Sequence, residues 1–387
     1  MSDISGEHQL VTDNQQLKLL CARWHSSDYL TLDTEFIRVN TFYPLPGLIQ
    51  LGAGQEIYLI DPLQIDEWDE FIALMSDTGI VKIIHSGSED LILFLDFFKC
   101  LPAPLFDTQK AAAFLGYGAS ISYLNLVREL TGIELAKGET RSDWLQRPLT
   151  SQQLDYAALD VAYLPLIYSE LRQQLDERGR LQIVLAECEK MRQIALATED
   201  ESNWTDMYLQ MGAAWRLNET QLGALQPLCV WREQQARVRN KPRTWIARDS
   251  DLIQLAEAMP ESAGALRQIK DMSRNLYQQD TQTILALIAD SKPVDSAILQ
   301  SLESQPLTRD QRLLLKKLQQ AVRHIAQDTG IAEELLARKK VLIQFLRLNE
   351  QGLSAGFPLK WPADTEQWRI DLLQESLRTV LEKNRHV

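Results

Sequence analysis

Apolar residues run in short alternating blocks through the first hundred positions and then settle into helical spacing. Residues 28–36, 47–52, 56–60 and 80–85, rich in Leu, Ile and Val, predict short strands, the second and third joined across "GAGQ". Helical spacing predicts helices near 66–76 and 89–98 and several more up to about 194. Past "ATEDESNW" (197–204), an acidic stretch that reads as a linker, no strand pattern returns. Residues 218–239, 249–258, 275–291, 307–327, 331–349 and 366–384 all carry helical periodicity. Strands crowded early and followed by helices predict an α/β or α+β domain with helices packed on a sheet. The helical half is long enough for two small bundles, divided near 291–307. Within it "WIARDSDLIQLAEA" and "GIAEELLARKKVLIQFL" echo one another, the trace of a repeated helical unit.

The first long strand breaks its own pattern. In "YLTLDTEFI", Leu32, Thr34 and Phe36 point one way and Asp33 and Glu35 the other. Like charges side by side on a strand face repel, and burying them uncompensated costs several kcal/mol. Either that face meets water or something cationic belongs there. Two further stretches bear on the choice. In "KIIHSGSEDLILFLDFF", Asp90 falls in the first turn of a helix that follows a strand, where the helix dipole favours an acid. In "TSQQLDYAALDVAYL", Thr150 or Ser151 caps a helix on which Tyr156 and Asp160, four residues apart, share a face. Asp155 lies off that face and reads as a helix-start acid.

Composition narrows the setting. At 387 residues, 45% hydrophobic and 24% charged, the chain has the make-up of a soluble globular protein of two or three domains. No apolar run approaches the roughly 18–20 residues that span a bilayer. The opening "MSDISGEHQLVTDNQQ" has no basic or hydrophobic leader, and four scattered cysteines lack CxxC spacing. A cytoplasmic protein with free thiols is the expectation. The net charge of −13 speaks against nucleic acid, but it is unevenly spread. Residues 1–190 hold 14 Lys and Arg against 28 Asp and Glu, and residues 216–387 hold 25 against 21. The steepest basic excess, six cations against one acid, runs from Arg232 to Arg248, with Trp231 and Trp245 flanking or interleaved.

Asp33-x-Glu35 on a first strand, Asp90 after a later strand, and Tyr156-x-x-x-Asp160 on a helix resemble the three exonuclease motifs of the DEDD superfamily, tyrosine subclass. The words "LDTEF", "YPLPGLIQL", "LIDPL", "HSGSEDL", "DTQ", "RSDWLQRPL" and "YAALDVAYL" resemble the ribonuclease D family, in order and at sensible spacing over residues 28 to about 170. In the histidine subclass a His stands five residues before the last Asp; here that place holds Asp155. The helical half, with its "LCVWR" run and basic cluster, is similar in placement to the HRDC domains of that family.

The resemblance implies a ribonuclease H-like exonuclease domain over residues 1–195, a mixed sheet with flanking helices. A linker over 196–213 and two all-α HRDC-type domains over 214–294 and 295–387 would follow. It implies 3′→5′ hydrolysis of RNA by two divalent cations, Mg²⁺ or Mn²⁺, which prefer oxygen ligands and together clamp attacking and leaving oxygens. Asp33, Glu35, Asp90 and Asp160 would ligate them, and Tyr156, whose ordinary pKa near 10 makes it a poor base, would orient the attacking water. Phe36, Lys137, Arg141, Arg237, Arg239, Lys241 and Arg243 are the candidate RNA contacts; Asp143 and Trp144 would shape the loop before the last helix. The expected partners are RNAs with single-stranded 3′ ends, precursor tRNA above all, with no membrane association and a monomeric protein. His85 reads as structural, and Gln50 and Asp107 recur in family-like words without assignable chemistry. Two rivals are a DNA-directed 3′→5′ exonuclease on the same chemistry and a non-catalytic RNA-binding protein with a nuclease-like domain.

Overall fold

Alternating apolar positions in the first hundred residues build a six-stranded sheet: β1 (His8–Val11), β2 (Tyr29–Ile37), β3 (Leu45–Ala53), β4 (Glu56–Ile60), β5 (Val81–Ile84) and β6 (Leu105–Asp107). The spatial order is β1-β4-β3-β2-β5-β6. β2, β3 and β4 form an antiparallel meander, while β1 runs parallel to β4 and β5 and β6 run parallel beside β2. The sheet is therefore mixed, as expected. Its two edge strands escaped the sequence reading: β1 reads HQLV, without the apolar run that marks the equally short β5, and the three residues of β6 are too few to display a period.

The computed structural model describes residues 7–135, 142–302, 305–349 and 358–384. These fall into two units: Met1–Ile37, Pro44–Ala195 and Thr308–Val387 in one, and Arg38–Tyr43 with Leu196–Leu307 in the other.

In the first unit the sheet is flanked by α1 (Asn14–Trp24), α2 (Asp69–Ser76), α3 (Ser88–Leu93), α4 (Thr108–Phe114), α5 (Tyr123–Thr131), α6 (Ser151–Ala162), α7 (Leu164–Glu177) and the start of α8 (Leu181–Glu199). Leu30, Leu32, Leu48, Ile49, Leu51, Leu59 and Ile60 are fully buried along the central strands. Each such side chain contributes roughly 1.5–3 kcal/mol of burial. The helix α6 packs on the face that carries Thr31, with Ala157, Ala158 and Val161 buried beneath it. Close approach is possible there because β3 offers Gly52 opposite Thr31, where a Cβ would stand 2.2 Å from the Thr31 hydroxyl. The helices of residues 309–383 belong to this unit. Arg180 donates to the carbonyls of Phe114 and Thr329, the Ala332 amide donates to the Ala113 carbonyl, and Arg369 pairs with buried Glu187 at 2.9 Å.

The second unit is helical around α9 (Glu219–Val238). Leu222, Leu225, Leu228, Trp231, Leu252, Leu255 and Ile284 form its core, and Phe42, from the tip of the β2–β3 hairpin, joins them. Residues 201–210, part of the stretch whose acidity suggests a linker, instead form a 3₁₀ helix anchored by buried Trp204 and Tyr208. The helix expected over 275–291 is two, Arg274–Gln278 and Thr281–Ala289.

The echo in the sequence has a structural counterpart. Asn218 and Thr308 each open a long helix with a capping box, closed by Gln221 and Gln311. Each helix is followed by a four-residue turn of helix, Arg243–Ile246 or Glu333–Leu336. An extended alanine comes next, Ala247 or Ala337, and then another helix. Each matched pair stands 90 residues apart (218 and 308, 221 and 311, 247 and 337), so the same local devices recur in register.

Candidate active site

Strand β2 outruns its parallel neighbour. The β2–β5 ladder spans Tyr29–Thr31, so Asp33 and Glu35 stand near the carboxyl end of β5, where the chain turns into α3. Asp90, buried in the first turn of α3, accepts a hydrogen bond from the hydroxyl of Thr34, which lies between the two β2 acids. From the other side α6 brings Asp160 and Tyr156. Asp33 and Glu35 each sense both Asp90 and Asp160 through poorly screened surroundings. Burial, then the charges of Asp90, Asp160 and Glu35, hold the Asp33 carboxyl well above its usual range. Burial, then Asp160 and Asp90, push Glu35 up to about 8. Burial lifts Asp160 to about 7, against a hydrogen bond from Tyr156 that lowers it, and lifts Asp90 to about 6, against the Thr34 bond. No Lys or Arg side chain pairs with any of the four among the described residues.

The local sequence explains how α6 is aimed. Thr150, one of the two expected caps, accepts from the Gln153 amide, and the Gln153 side chain accepts from Thr150 in return. The loop before it is clamped to the sheet by Arg147. This residue donates from Nε and Nη2 to the buried Asp61 carboxylate, both at 2.7 Å, and from Nη2 to the Gly47 carbonyl at 2.6 Å. Burial alone would raise Asp61, but the Arg147 bonds hold it below the ordinary carboxylate value. Trp144 is buried against Gly47, where a Cβ would stand 2.6 Å from the Trp144 Cβ. Gly47 is the extra residue of a β-bulge, unmatched between the pairs Glu35–Leu48 and Phe36–Pro46. At the far end of α6, the Tyr123 hydroxyl donates to the Leu159 carbonyl at 2.9 Å and accepts from the Tyr163 amide at 3.1 Å, bracketing Asp160.

The expected site residues are thus brought together: Asp33, Glu35, Asp90, Tyr156 and Asp160 form one cluster. Phe36 is half-buried next to it. Lys137 and Arg141 lie outside the described residues. Among the described residues no three His, Cys, Asp or Glu side chains stand close enough to make a ready cage for a cation. What the cluster offers a hard divalent cation is its donor chemistry: oxygen ligands only, with mutual repulsion that such an ion would relieve. On that observation the residues fit the group.

The basic segment is built differently from what its charge suggests. Arg237 is nearly buried, pairs with Glu233 at 2.8 Å and Glu199 at 3.0 Å, and stacks on Trp204 and Phe42. Arg243 pairs with the same Glu233 at 2.6 Å, Arg239 with buried Asp280, Arg232 with Asp249, and Arg248 with Asp251. Lys241 is the exposed member that keeps no ion pair among the described residues; it lies 5.6 Å from the ring of exposed Trp245. His85 bonds Thr108 and the Ile121 carbonyl, and burial lowers its pKa, a structural histidine. Asp107 caps α4 and accepts from the Gly87 amide at 2.9 Å, which ties down the turn leading to Asp90. Asp61, Arg147, Thr34 and Tyr123 were not singled out in the sequence. Asp61 and Arg147 fall in the words "LIDPL" and "RSDWLQRPL" and Thr34 in "LDTEF", and nothing marked Tyr123.

A mixed sheet with four carboxylates and a tyrosine at one strand end, ahead of a helical second half, defines a 3′→5′ exonuclease with an appended helical module. Comparison with known proteins agrees: residues 8–176 match the 3′-5′ exonuclease family and residues 221–288 the HRDC domain. Ribonuclease D of Pseudomonas paraeruginosa is 39% identical over 376 residues, covering 97% of this chain and 98% of that protein. Ribonuclease D of Escherichia coli is 35% identical over 384 residues, with 97% and 99% covered. The crystal structure of Escherichia coli RNase D superposes with a TM-score of 0.80 at 33% identity, covering 97% of this chain and 99% of that one. The chain belongs to the ribonuclease D family and is a 3′→5′ exoribonuclease. No helix among the described residues is long and apolar enough to cross a membrane.

Proposed function

We propose that the protein trims the 3′ ends of precursor tRNA and other small structured RNAs in the cytoplasm, as a monomer, releasing 5′-mononucleotides with the help of two divalent cations. The observation that carries this reading is the convergence of Asp33, Glu35, Asp90 and Asp160 with no basic side chain among the described residues to neutralise them. Its substrate class is supported by the solved relative from Escherichia coli, described as an exoribonuclease involved in structured RNA processing.

Asp33, Glu35 and Asp160 would hold the cation next to the attacking water, with Asp33 shared toward a second ion supported by Asp90. Bound Mg²⁺ or Mn²⁺ would supply charge for the phosphate oxygens and lower the pKa of the water. The chain's own part is orientation. The Tyr156 hydroxyl bonds Asp160, and its pKa is raised further above 10 by burial and then by the acids, so it stays a neutral donor that positions the water rather than a base. Phe36 would wedge against the terminal base, as aromatics do in single-strand channels. Lys137 and Arg141 would meet phosphates. In the second unit Lys241 with Trp245 is the leading RNA contact, joined by the exposed edges of Arg239 and Arg243, while Arg237 serves mainly to hold the fold. We also read residues 295–387 as a second module of the HRDC type, on the recurrence of caps and turns at a 90-residue separation.

The test is a hairpin RNA labelled at its 5′ end and bearing a single-stranded 3′ tail, incubated with Mg²⁺, Mn²⁺ or chelator beside a DNA copy. A metal-dependent ladder that shortens from the 3′ end of RNA alone and halts at the duplex supports the reading. Retained binding without shortening would reduce the protein to a binder, and equal loss of the DNA copy would make it a nuclease without sugar preference.

A further inference from the structure

In the middle of the sheet lies a buried amide side chain that none of this uses. Gln50 lies in the middle of β3, is fully buried, and has no hydrogen-bond partner for either atom of its amide among the described residues. Its neighbours along β3, Leu48, Ile49 and Leu51, are fully buried and apolar. An apolar side chain of the same size would fit that context and remove the cost of the orphaned amide. An unpaired buried amide in such a strand therefore calls for a use.

Strand register identifies the available partner. Gln50 stands directly opposite Asp33 on β2 and opposite Leu59 on β4, and Leu59 stands opposite Leu10 on β1. Residues opposite one another share a face, so across the sheet the row reads Leu10, Leu59, Gln50, Asp33. Asp33 is the polar member within reach. On this face α6 closes over the sheet with Ala157, Ala158 and Val161, which offer no side-chain acceptor. Directly opposed Cβ atoms are about 4.5–5.5 Å apart, a gap that an extended glutamine and an aspartate together span. Asp33 Oδ1 accepts from the Thr34 amide at 3.0 Å, and its other oxygen has no partner among the described residues.

We propose that Gln50 is a positioning residue of the active site, its amide Nε2 donating to the free oxygen of Asp33 when that carboxylate ligates a divalent cation. The inference rests on the reading of the carboxylate cluster as the cation site. Gln50 itself touches neither RNA nor cation, being closed off from solvent. It fixes the orientation of the carboxylate shared between the ions, the kind of outer-shell bond whose loss costs about 10–100-fold in metal affinity or activity.

The test uses full-length Gln50→Met and Gln50→Leu proteins with three readouts: melting in chelator, Mn²⁺ binding by calorimetry, and steady-state kinetics on the tailed hairpin RNA. Without metal, both variants should melt at or above the wild-type temperature, because an orphaned amide has been removed. Both should bind Mn²⁺ at least about tenfold more weakly and lose kcat while KM for RNA stays put. A purely structural amide would give the opposite first result, a melting point well below wild type, and that overturns the proposal. So would wild-type Mn²⁺ affinity and kcat in either folded variant. Wild-type protein that binds no Mn²⁺ would instead sink the reading of the cluster as a cation site, and the role of Gln50 with it.

Discussion

Replacing Glu35 by glutamine should make the metal-free protein more stable at neutral and alkaline pH. An unfolded glutamate titrates near 4.5, whereas burial and then the charges of Asp160 and Asp90 push Glu35 up to about 8 in the fold. Below pH 4.5 both states are protonated and the group contributes nothing. Between 4.5 and 8 the unfolded chain gives up its proton while the folded one keeps it, so stability falls as pH rises. Above 8 the folded protein bears the whole cost of an ionised, buried carboxylate. At about 1.4 kcal/mol per pH unit the ceiling is about 5 kcal/mol, and water entering the half-buried site reduces it to roughly 2–3 kcal/mol.

Glu35→Gln removes that cost and also part of the repulsion on Asp33. At a few degrees per kcal/mol, the rise in melting temperature at pH 8 is on the order of 5–10 °C. The assay is thermal unfolding of both proteins in chelator at pH 4, 6 and 8, repeated at pH 8 with Mn²⁺. Glu35→Gln should gain little at pH 4 and most at pH 8. Mn²⁺ should narrow the difference by stabilising the wild type more. An equal gain at pH 4 and pH 8, or a loss at pH 8, would refute the account, because neither can come from a buried charge.

Four further outcomes are expected. Tyr156→Phe should leave Mn²⁺ affinity unchanged in calorimetry while lowering kcat by roughly 10²-fold; full activity would remove the water-positioning role. Asp61→Asn, which breaks the clamp to Arg147, should cost about 3 kcal/mol near pH 7 in denaturant titrations. The folded Asp61 pKa is depressed, so its stabilisation is present above the ordinary 3.8 and lost as pH falls through the folded value; the cost of the substitution should shrink at the acid end. Arg237→Ala should lower stability by about 3 kcal/mol. Lys241→Ala should leave stability within about 0.5 kcal/mol and reduce the salt dependence of RNA binding by about one phosphate contact, and a wild-type salt slope would remove Lys241 from the interface.

Elements with a clear apolar pattern were legible from the chain: the meander β2–β4, the short apolar β5 and most helices lie where spacing predicts them. What escaped was short, or depended on a partner distant in sequence. Residues 201–210 look like a linker by acidity, yet Trp204 and Tyr208 supply the apolar anchors that pull the stretch into a helix, and those aromatics were the overlooked signal. The clamp that fixes the loop before α6 joins residues 86 apart, Asp61 and Arg147, and no local window contains both.

The two charge clusters expose the same limit from opposite directions. By composition alone the basic run 232–248 stood out as much as the acids of β2, and both invited a functional reading. Folding supplies the cations with Glu199, Glu233, Asp249, Asp251 and Asp280, all in the helical unit, some a single helical turn from their arginine, as Asp251 is from Arg248, and others far along the chain, as Asp280 is from Arg239. It supplies the acids with a few hydrogen bonds, from Thr34 and Tyr156, but with no cation among the described residues. A paired charge has already recovered its desolvation cost within the protein and has little left to offer a ligand. An unpaired buried cluster retains that cost until something outside the chain removes it. Hence the carboxylates of β2, α3 and α6 are where binding energy for a cation would come from, and the arginines around Glu233 are committed to the helical unit itself. Gln50 belongs with the former group for the same reason, since its hydrogen-bonding capacity is likewise unused among the described residues.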